Sequence, residues 1–281
     1  VSPHFPSAGE LLTRYGLRAK KSWGQNFLVD ERAYREIVDA LRLDRDAWVL
    51  EIGAGLGTLT LRLAAVAGKV VAVERDRDLC ALLRTELGDR VELHEANALT
   101  FDYADIAQRA GGKLAVVGNL PYQIASPILF RLLETPKAFS RIVVMLQKEM
   151  ADRIVSPPGQ GAYGALSVML QQAGRVRIVC RVRAGGFLPP PRVDSAVVEL
   201  VPYEHGKVPL RDPDYFSRVV HAAFQMRRKI LRNSLAPVAD IASIDRAFAT
   251  TRIDPQRRGE TLSVEEFAAL TDALMEAPLG A

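Results

Sequence analysis

Two spacings of apolar residues alternate along most of this chain. In "DERAYREIVDALRL", Tyr34, Ile37, Val38 and Leu41 recur at helical intervals, and Asp30 is placed to cap the first turn. The period then shortens. "AWVLEIG" (47–53), "KVVAVE" (69–74), "VELHEAN" (91–97), "LAVVGN" (114–119) and "RIVVMLQ" (141–147) are short runs rich in valine and isoleucine. Between them lie helical stretches such as "DLCALLRTEL", whose Leu79, Leu82, Leu83 and Leu87 share one face. Strands apolar on both faces, alternating with helices, predict an α/β fold whose parallel sheet is covered on both sides.

Two later runs read differently. "RVRIVCRV" places Val176, Ile178, Cys180 and Val182 on one face and Arg175, Arg177 and Arg181 on the other, as in a strand with one wet side. "VDSAVVELV" (193–201) follows a Pro-rich bend, so the two runs are expected to close the sheet edge as an antiparallel pair. Past Pro202 the valine-rich runs cease. "DYFSRVVHAAF", "IDRAFAT" and "SVEEFAALTDALM" read as helices, which predicts a sheet domain over residues 1–203 and a small helical domain over 204–281.

The 281 residues, 48% hydrophobic and 25% charged, suit one sizeable core with an appendage. No run reaches the roughly 18 to 20 apolar residues of a membrane helix, and "VSPHFPSAGE" has no secretory pattern, so a cytoplasmic monomer with no membrane contact is expected. Cys80 and Cys180 are far apart and the four histidines are scattered, which signals neither a disulfide framework nor a metal site. The net charge of +4 is mild, but its distribution is not. Arg14, Arg18, Lys20 and Lys21 lie in a stretch without acids, and "MRRKILRN" (226–233) supplies Arg227, Arg228, Lys229 and Arg232. Each cluster reads either as a solvated face or as a set of phosphate contacts.

The first strand runs into "EIGAGLGTLT", where Gly53, Gly55 and Gly57 let the backbone turn sharply against a ligand. A dinucleotide fingerprint needs its third glycine at 58, and that residue is Thr58. The spacing instead suits S-adenosylmethionine, which has no phosphate to place at a helix N-terminus. Glu74 ends the second strand, where its carboxylate can accept from both ribose hydroxyls.

The fourth strand stops abruptly on "NLPY". Asn119 and Leu120 can offer a side-chain and a backbone oxygen to an exocyclic aromatic amine, drawing its lone pair out of conjugation. Pro121 stiffens that arrangement and Tyr122 offers a ring on which a base can stack. No general base is required, because an alkylated amine loses its proton readily to water. In "GGFLPPPRVDSAVV", an exposed Phe187 pinned by Pro189, Pro190 and Pro191 is expected to sandwich an extruded base from the other side.

Seven blocks in register, "GQNFLVD", "EIGAGLGTLT", "VERD", "NLPYQIASPIL", "MLQKEMADRI", "FLPPPRVDSAVV" and "FQMRRKILRNSL", make the chain resemble the KsgA/RsmA-type ribosomal RNA adenine dimethyltransferases from about residue 10 onward. The resemblance implies a Rossmann-like class I methyltransferase sheet, mostly parallel with an antiparallel edge pair, plus a small C-terminal helical domain. It implies dimethylation, with S-adenosylmethionine, of the N6 of two adjacent adenines near the 3′ end of small-subunit (16S) rRNA. Carried over, Gln25, Asn26 and Leu28 would close over the cofactor, Gly53 and Gly55 would line its amino-acid end, and Glu74 would bind ribose. Arg75, Asn97, Ala98 and Asn119 would complete the cofactor site. Asn119, Leu120, Pro121 and Tyr122 would meet the target amine, with Phe187 on its base. Lys20, Lys21, Arg227, Arg228, Lys229 and Arg232 become candidate RNA contacts.

One residue departs from the family pattern: Asn97 stands where an aspartate is usual, retaining an acceptor oxygen and losing the charge. Three other readings share parts of the signature. They are an Erm-type enzyme acting on large-subunit RNA, a non-catalytic RNA-binding assembly factor, and a DNA adenine methyltransferase. Leu120, where Erm proteins usually carry isoleucine, counts against the first, and the intact glycine loop counts against the second.

Overall fold

The computed structural model describes residues 5–111, 114–121, 123–226 and 229–276. Its strands are β1 (Phe27–Leu28), β2 (Trp48–Ile52), β3 (Lys69–Glu74), β4 (Val91–Glu95), β5 (Leu114–Asn119), β6 (Phe139–Gln147), β7 (Gly174–Val182), β8 (Phe187–Leu188) and β9 (Ser195–Pro202). Seven of them form one sheet in the order β4-β3-β2-β5-β6-β9-β7. The pairs from β4 through β6 are parallel, and β9 runs antiparallel to β6. The order reverses between β2, which pairs with β3 on one side, and β5 on its other, so a crevice opens at their carboxyl ends.

The apolar runs occupy the middle of this sheet because both faces are covered. Val49, Leu50, Val71, Val116 and Val143 are fully buried. The helix Glu31–Leu41 starts on Asp30, whose carboxylate accepts from the Arg32 and Ala33 N–H groups, and it buries Tyr34, Ile37 and Leu41. Arg77–Leu87 buries Leu79, Leu82, Leu83 and Leu87, the face read from their spacing. At the edge, β7 alternates as expected, with Arg175 and Arg181 exposed and Cys180 and Val182 buried. The buried Glu199 of β9 pairs with Arg141 and Arg177, so one carboxylate satisfies two strands' arginines.

The chain divides into one unit of Val1–Ala151 with Arg177–Pro202 and a second of Asp152–Val176 with Tyr203–Ala281. The second unit therefore takes in a segment that a single cut at residue 203 leaves out. The reason is packing: Tyr163 and Val168, from before β7, share a core with Phe216, Val219, Phe248 and Phe267. No helix among the described residues is long and apolar enough to cross a membrane.

Candidate active site

The loop after β2 is built on backbone that side chains resist. Gly55 and Gly57 have φ of 59° and 78°, and a Cβ at Gly57 would lie 2.8 Å from Leu83 Cδ2. Gly53 N–H donates to Val73 O over 2.8 Å, folding the loop back onto β3. Glu74, buried at the end of β3, then locks it. Its Oε2 accepts from Gly55 N–H (2.9 Å), and Oε1 accepts from the N–H groups of Arg75 (2.8 Å) and Asp76 (2.9 Å). Three of about four acceptor positions on this carboxylate are thus filled by backbone, and Oε2 keeps the free one. The expectation of two free oxygens narrows to a single one.

Asp76 extends the arrangement. It is 1% exposed, caps the helix Arg77–Leu87, and accepts from Lys20 Nζ (2.6 Å) and Gln25 Nε2 (2.7 Å). Burial opposes its ionisation, but the Lys20, Gln25 and backbone hydrogen bonds together hold its carboxyl below the usual carboxylate range. Segment 20–26 is therefore tied to the β3 end. Its other tether is Asn119 Nδ2, which donates to Asn26 O over 3.0 Å.

These elements enclose a cavity of about 110 Å³. Gln25, Asn26, Gly53, Gly55, Glu74, Arg75, Asn97, Ala98, Asn119, Leu120 and Pro121 all line it, so most of the expected site residues converge. Asn97 Oδ1 accepts from Leu99 N–H (3.0 Å), shaping the turn after β4, and Arg131 holds that turn by donating to the Leu99 and Phe101 carbonyls. Leu120 N–H donates to Met145 O (3.2 Å), fixing the start of the NLPY turn against β6. Tyr122, Arg227 and Arg228 lie outside the described residues, as does the side chain of Lys21.

Two expectations change. Phe187 is not exposed: it is 3% accessible, and β1 pairs antiparallel with β8, setting Leu28 opposite Phe187 and Phe27 opposite Leu188. The Pro-rich corner thus presses Phe187 into the core as a support for β1. Leu28 is likewise buried and lines a second cavity of about 50 Å³ behind the glycine loop rather than the first.

That second cavity is lined by Glu51, Tyr34, Thr58 and Asn119 as well. Glu51 is 2% exposed and its Oε2 has no hydrogen-bond partner. An orphaned carboxyl oxygen beside a glycine cradle, and a free acceptor on Glu74, fit a ligand with a cationic amino-acid end and a ribose. Burial pushes the Glu51 carboxyl up to about 8, with the Thr60 hydroxyl opposing and the Glu74 charge adding. Because the folded value lies above the ordinary 4.5, the folded state holds a proton that the unfolded state releases, so stability falls as pH rises from about 4.5 to about 8. Glu51→Gln removes that slope. Urea unfolding is expected to show the variant gaining about 3 to 4 kcal/mol on the parent between pH 5 and pH 8, and a pH-independent difference would count against it.

Residues 16–276 match the family described as "Ribosomal RNA adenine dimethylase". The chain belongs to that dimethylase family. A relative from Anaeromyxobacter sp. (strain K), named ribosomal RNA small subunit methyltransferase A, is 48% identical over 284 residues, covering 98% of this chain and 100% of the relative. Among solved structures, a dimethyladenosine transferase from Plasmodium falciparum shares the fold with a TM-score of 0.72 at 24% identity, covering 87% of this chain and 95% of its own. The 23S rRNA methyltransferase ErmE gives a TM-score of 0.69 at 26% identity, covering 89% of this chain and 100% of its own. The seven-stranded sheet with its antiparallel edge is the class I methyltransferase arrangement seen in both.

Within this dimethylase, two of the basic residues read as RNA contacts are paired inside the fold. Lys20 bridges Asp76 and Asp78, and Arg232 forms a two-pronged pair with Asp245, its Nε at 2.6 Å and Nη2 at 2.8 Å. Lys229 is exposed. Asp76 and Trp23, which also lines the first cavity, were not singled out from sequence. The signal for Asp76 was its position, the N-cap directly after the strand-end Glu74.

Proposed function

We infer that this chain transfers methyl groups from S-adenosylmethionine to the N6 atoms of two adjacent adenines in the 3′-terminal hairpin of small-subunit (16S) rRNA, late in subunit assembly. The reading leans on 48% identity, over nearly the whole chain, to a relative named for the small subunit, against 26% for the large-subunit enzyme. The observation that carries the chemistry is the orientation of Asn119. Its amide nitrogen is engaged by Asn26 O, which turns Oδ1 away as the acceptor.

Bound in the cavity, S-adenosylmethionine supplies a methyl group on a sulfonium centre and leaves as S-adenosylhomocysteine. The glycine loop would line its amino-acid end, with Glu51 in the adjoining second cavity, and Glu74 Oε2 would accept from a ribose hydroxyl. Asn119 Oδ1 and the Leu120 carbonyl accept the two N6 hydrogens of the flipped adenine, so its lone pair points at the donor. The family resemblance gives the base-stacking role to Tyr122, and the N6 proton is lost to water after transfer. A rigid NLPY turn serves this chemistry because positioning, not proton abstraction, limits a weak nitrogen nucleophile.

Asn97 sits at the adenine end. Its oxygen already accepts from Leu99 N–H, so a carboxylate there keeps the turn and adds charge. Asn97→Asp is expected to tighten S-adenosylhomocysteine binding by about 1 kcal/mol in calorimetry, and equal or looser binding would count against the assignment. The function itself is tested by offering purified protein radiolabelled S-adenosylmethionine with unmethylated small or large ribosomal subunits. Label is expected in the small-subunit RNA alone, mapping by primer extension to two neighbouring adenines; label in large-subunit RNA, or none, overturns the reading.

A further inference from the structure

Trp23 is 38% exposed on a turn that forms the outer wall of the first cavity. A large indole is rarely left this open without a use, since its apolar area dominates local burial energetics. Its neighbours are cations. Arg75 lies with its guanidinium carbon 4.3 Å from the ring centroid, and Lys20 Nζ lies at 5.2 Å. Among the described residues Arg75 has no ion pair, so the indole is its main contact. Lys20, by contrast, is committed to Asp76 and Asp78.

The position is held from both sides. Before Trp23, Lys20 is pinned to the acidic cap of the helix Arg77–Leu87; after it, Gln25 bonds the same Asp76, and Asn26 O takes the Asn119 amide. Trp23 therefore projects from a strap tethered at its two ends, next to Gly24 with its φ of 68°. The strap crosses the cavity at the ends of β3 and β4, where Arg75, Asn97 and Ala98 also stand.

We propose that Trp23, braced on one face by Arg75, forms a stacking platform for the purine ring of the bound cofactor. The proposal rests on the methyltransferase reading above and names residues for its adenine end. A flat indole is a surface on which a purine stacks, and the guanidinium 4.3 Å from its centroid steadies it at the cavity end that Asn97 and Ala98 also line. An RNA base is the less suited occupant. Trp23 shares its cavity with Glu74 and Asn97, and Lys20, 5.2 Å from its ring, is paired with two aspartates.

The chain has only two tryptophans, and Trp48 lies on β2 against Lys69 and Arg109, so Trp48→Phe leaves Trp23 as the sole indole reporter. Titrating S-adenosylhomocysteine into Trp48→Phe is expected to change the Trp23 emission saturably, with the same midpoint as calorimetry. Trp23→Ala is expected to weaken binding about tenfold, Trp23→Phe to recover most of it, and 5′-methylthioadenosine, which lacks the amino-acid end, to lose affinity by the same factor. Unchanged affinity in Trp23→Ala, with the parent still binding, overturns the platform and leaves the methyltransferase reading standing. Failure of the parent to bind overturns both. An emission change with a short adenine-containing RNA and none with S-adenosylhomocysteine assigns the indole to nucleic acid and also overturns the proposal.

Discussion

Asn119→Ala is expected to lower the rate of methyl transfer in single-turnover assays by about two orders of magnitude, the usual effect of removing one preorganised hydrogen-bond partner from a transition state. The loss should fall on kcat rather than KM, because Oδ1 contributes most when the amine rehybridises. The same substitution frees Asn26 O from its 3.0 Å bond, so cofactor affinity is expected to drop by a few-fold at most. Asn119→Asp separates the two roles. It keeps an acceptor but sets a carboxylate against the Asn26 carbonyl, and so should loosen the strap while retaining part of the rate. An alanine variant as fast as the parent would remove Asn119 from the chemistry.

Gly118→Ala is expected to be the most disruptive single methyl group in the sheet. Gly118 sits opposite Ile52 in the β2–β5 register, and a Cβ there would lie 2.5 Å from the Ile52 carbonyl oxygen and 3.1 Å from Leu120 Cδ2. Backbone cannot yield as a flexible side chain does, so the two strands must part, at about 2 to 3 kcal/mol. Both strands end in the site, one in the glycine loop and the other in Asn119, so activity should fall further than stability alone explains. Urea unfolding beside methyl transfer checks this, with Gly185→Ala as control, since a Cβ at Gly185 meets nothing within 4 Å. A Gly118→Ala protein as stable as the control would contradict the close approach.

The sheet was legible because its chemistry is local. Strands buried on both faces must be apolar throughout, so β2, β3, β5 and β6 announce themselves, and what interrupts them, Gly53, Glu74 and Asn119, marks the carboxyl edge. Side-chain pairing across distance was not legible. Phe187 beside prolines looks exposed until β8 is seen to pair with β1, and nothing near Lys20 in sequence reveals that Asp76 and Asp78 await it. The packing of Tyr163 and Val168 was not legible for the same reason: they precede β7, yet they share a core with helices that follow β9. Trp23 was missed because a lone aromatic has no period, and only its place on the cavity wall gives it meaning.

The short ribbon of β1 with β8 bears on the order in which the cavity wall is completed. Phe27 and Leu28 emerge early in synthesis, but their partners Leu188 and Phe187 arrive only after six strands of the sheet have been made. Such long-range closure is slow relative to local helix formation. The segment that carries Phe27 on the wall of the first cavity is thus the part of that wall whose strand partner is synthesised last.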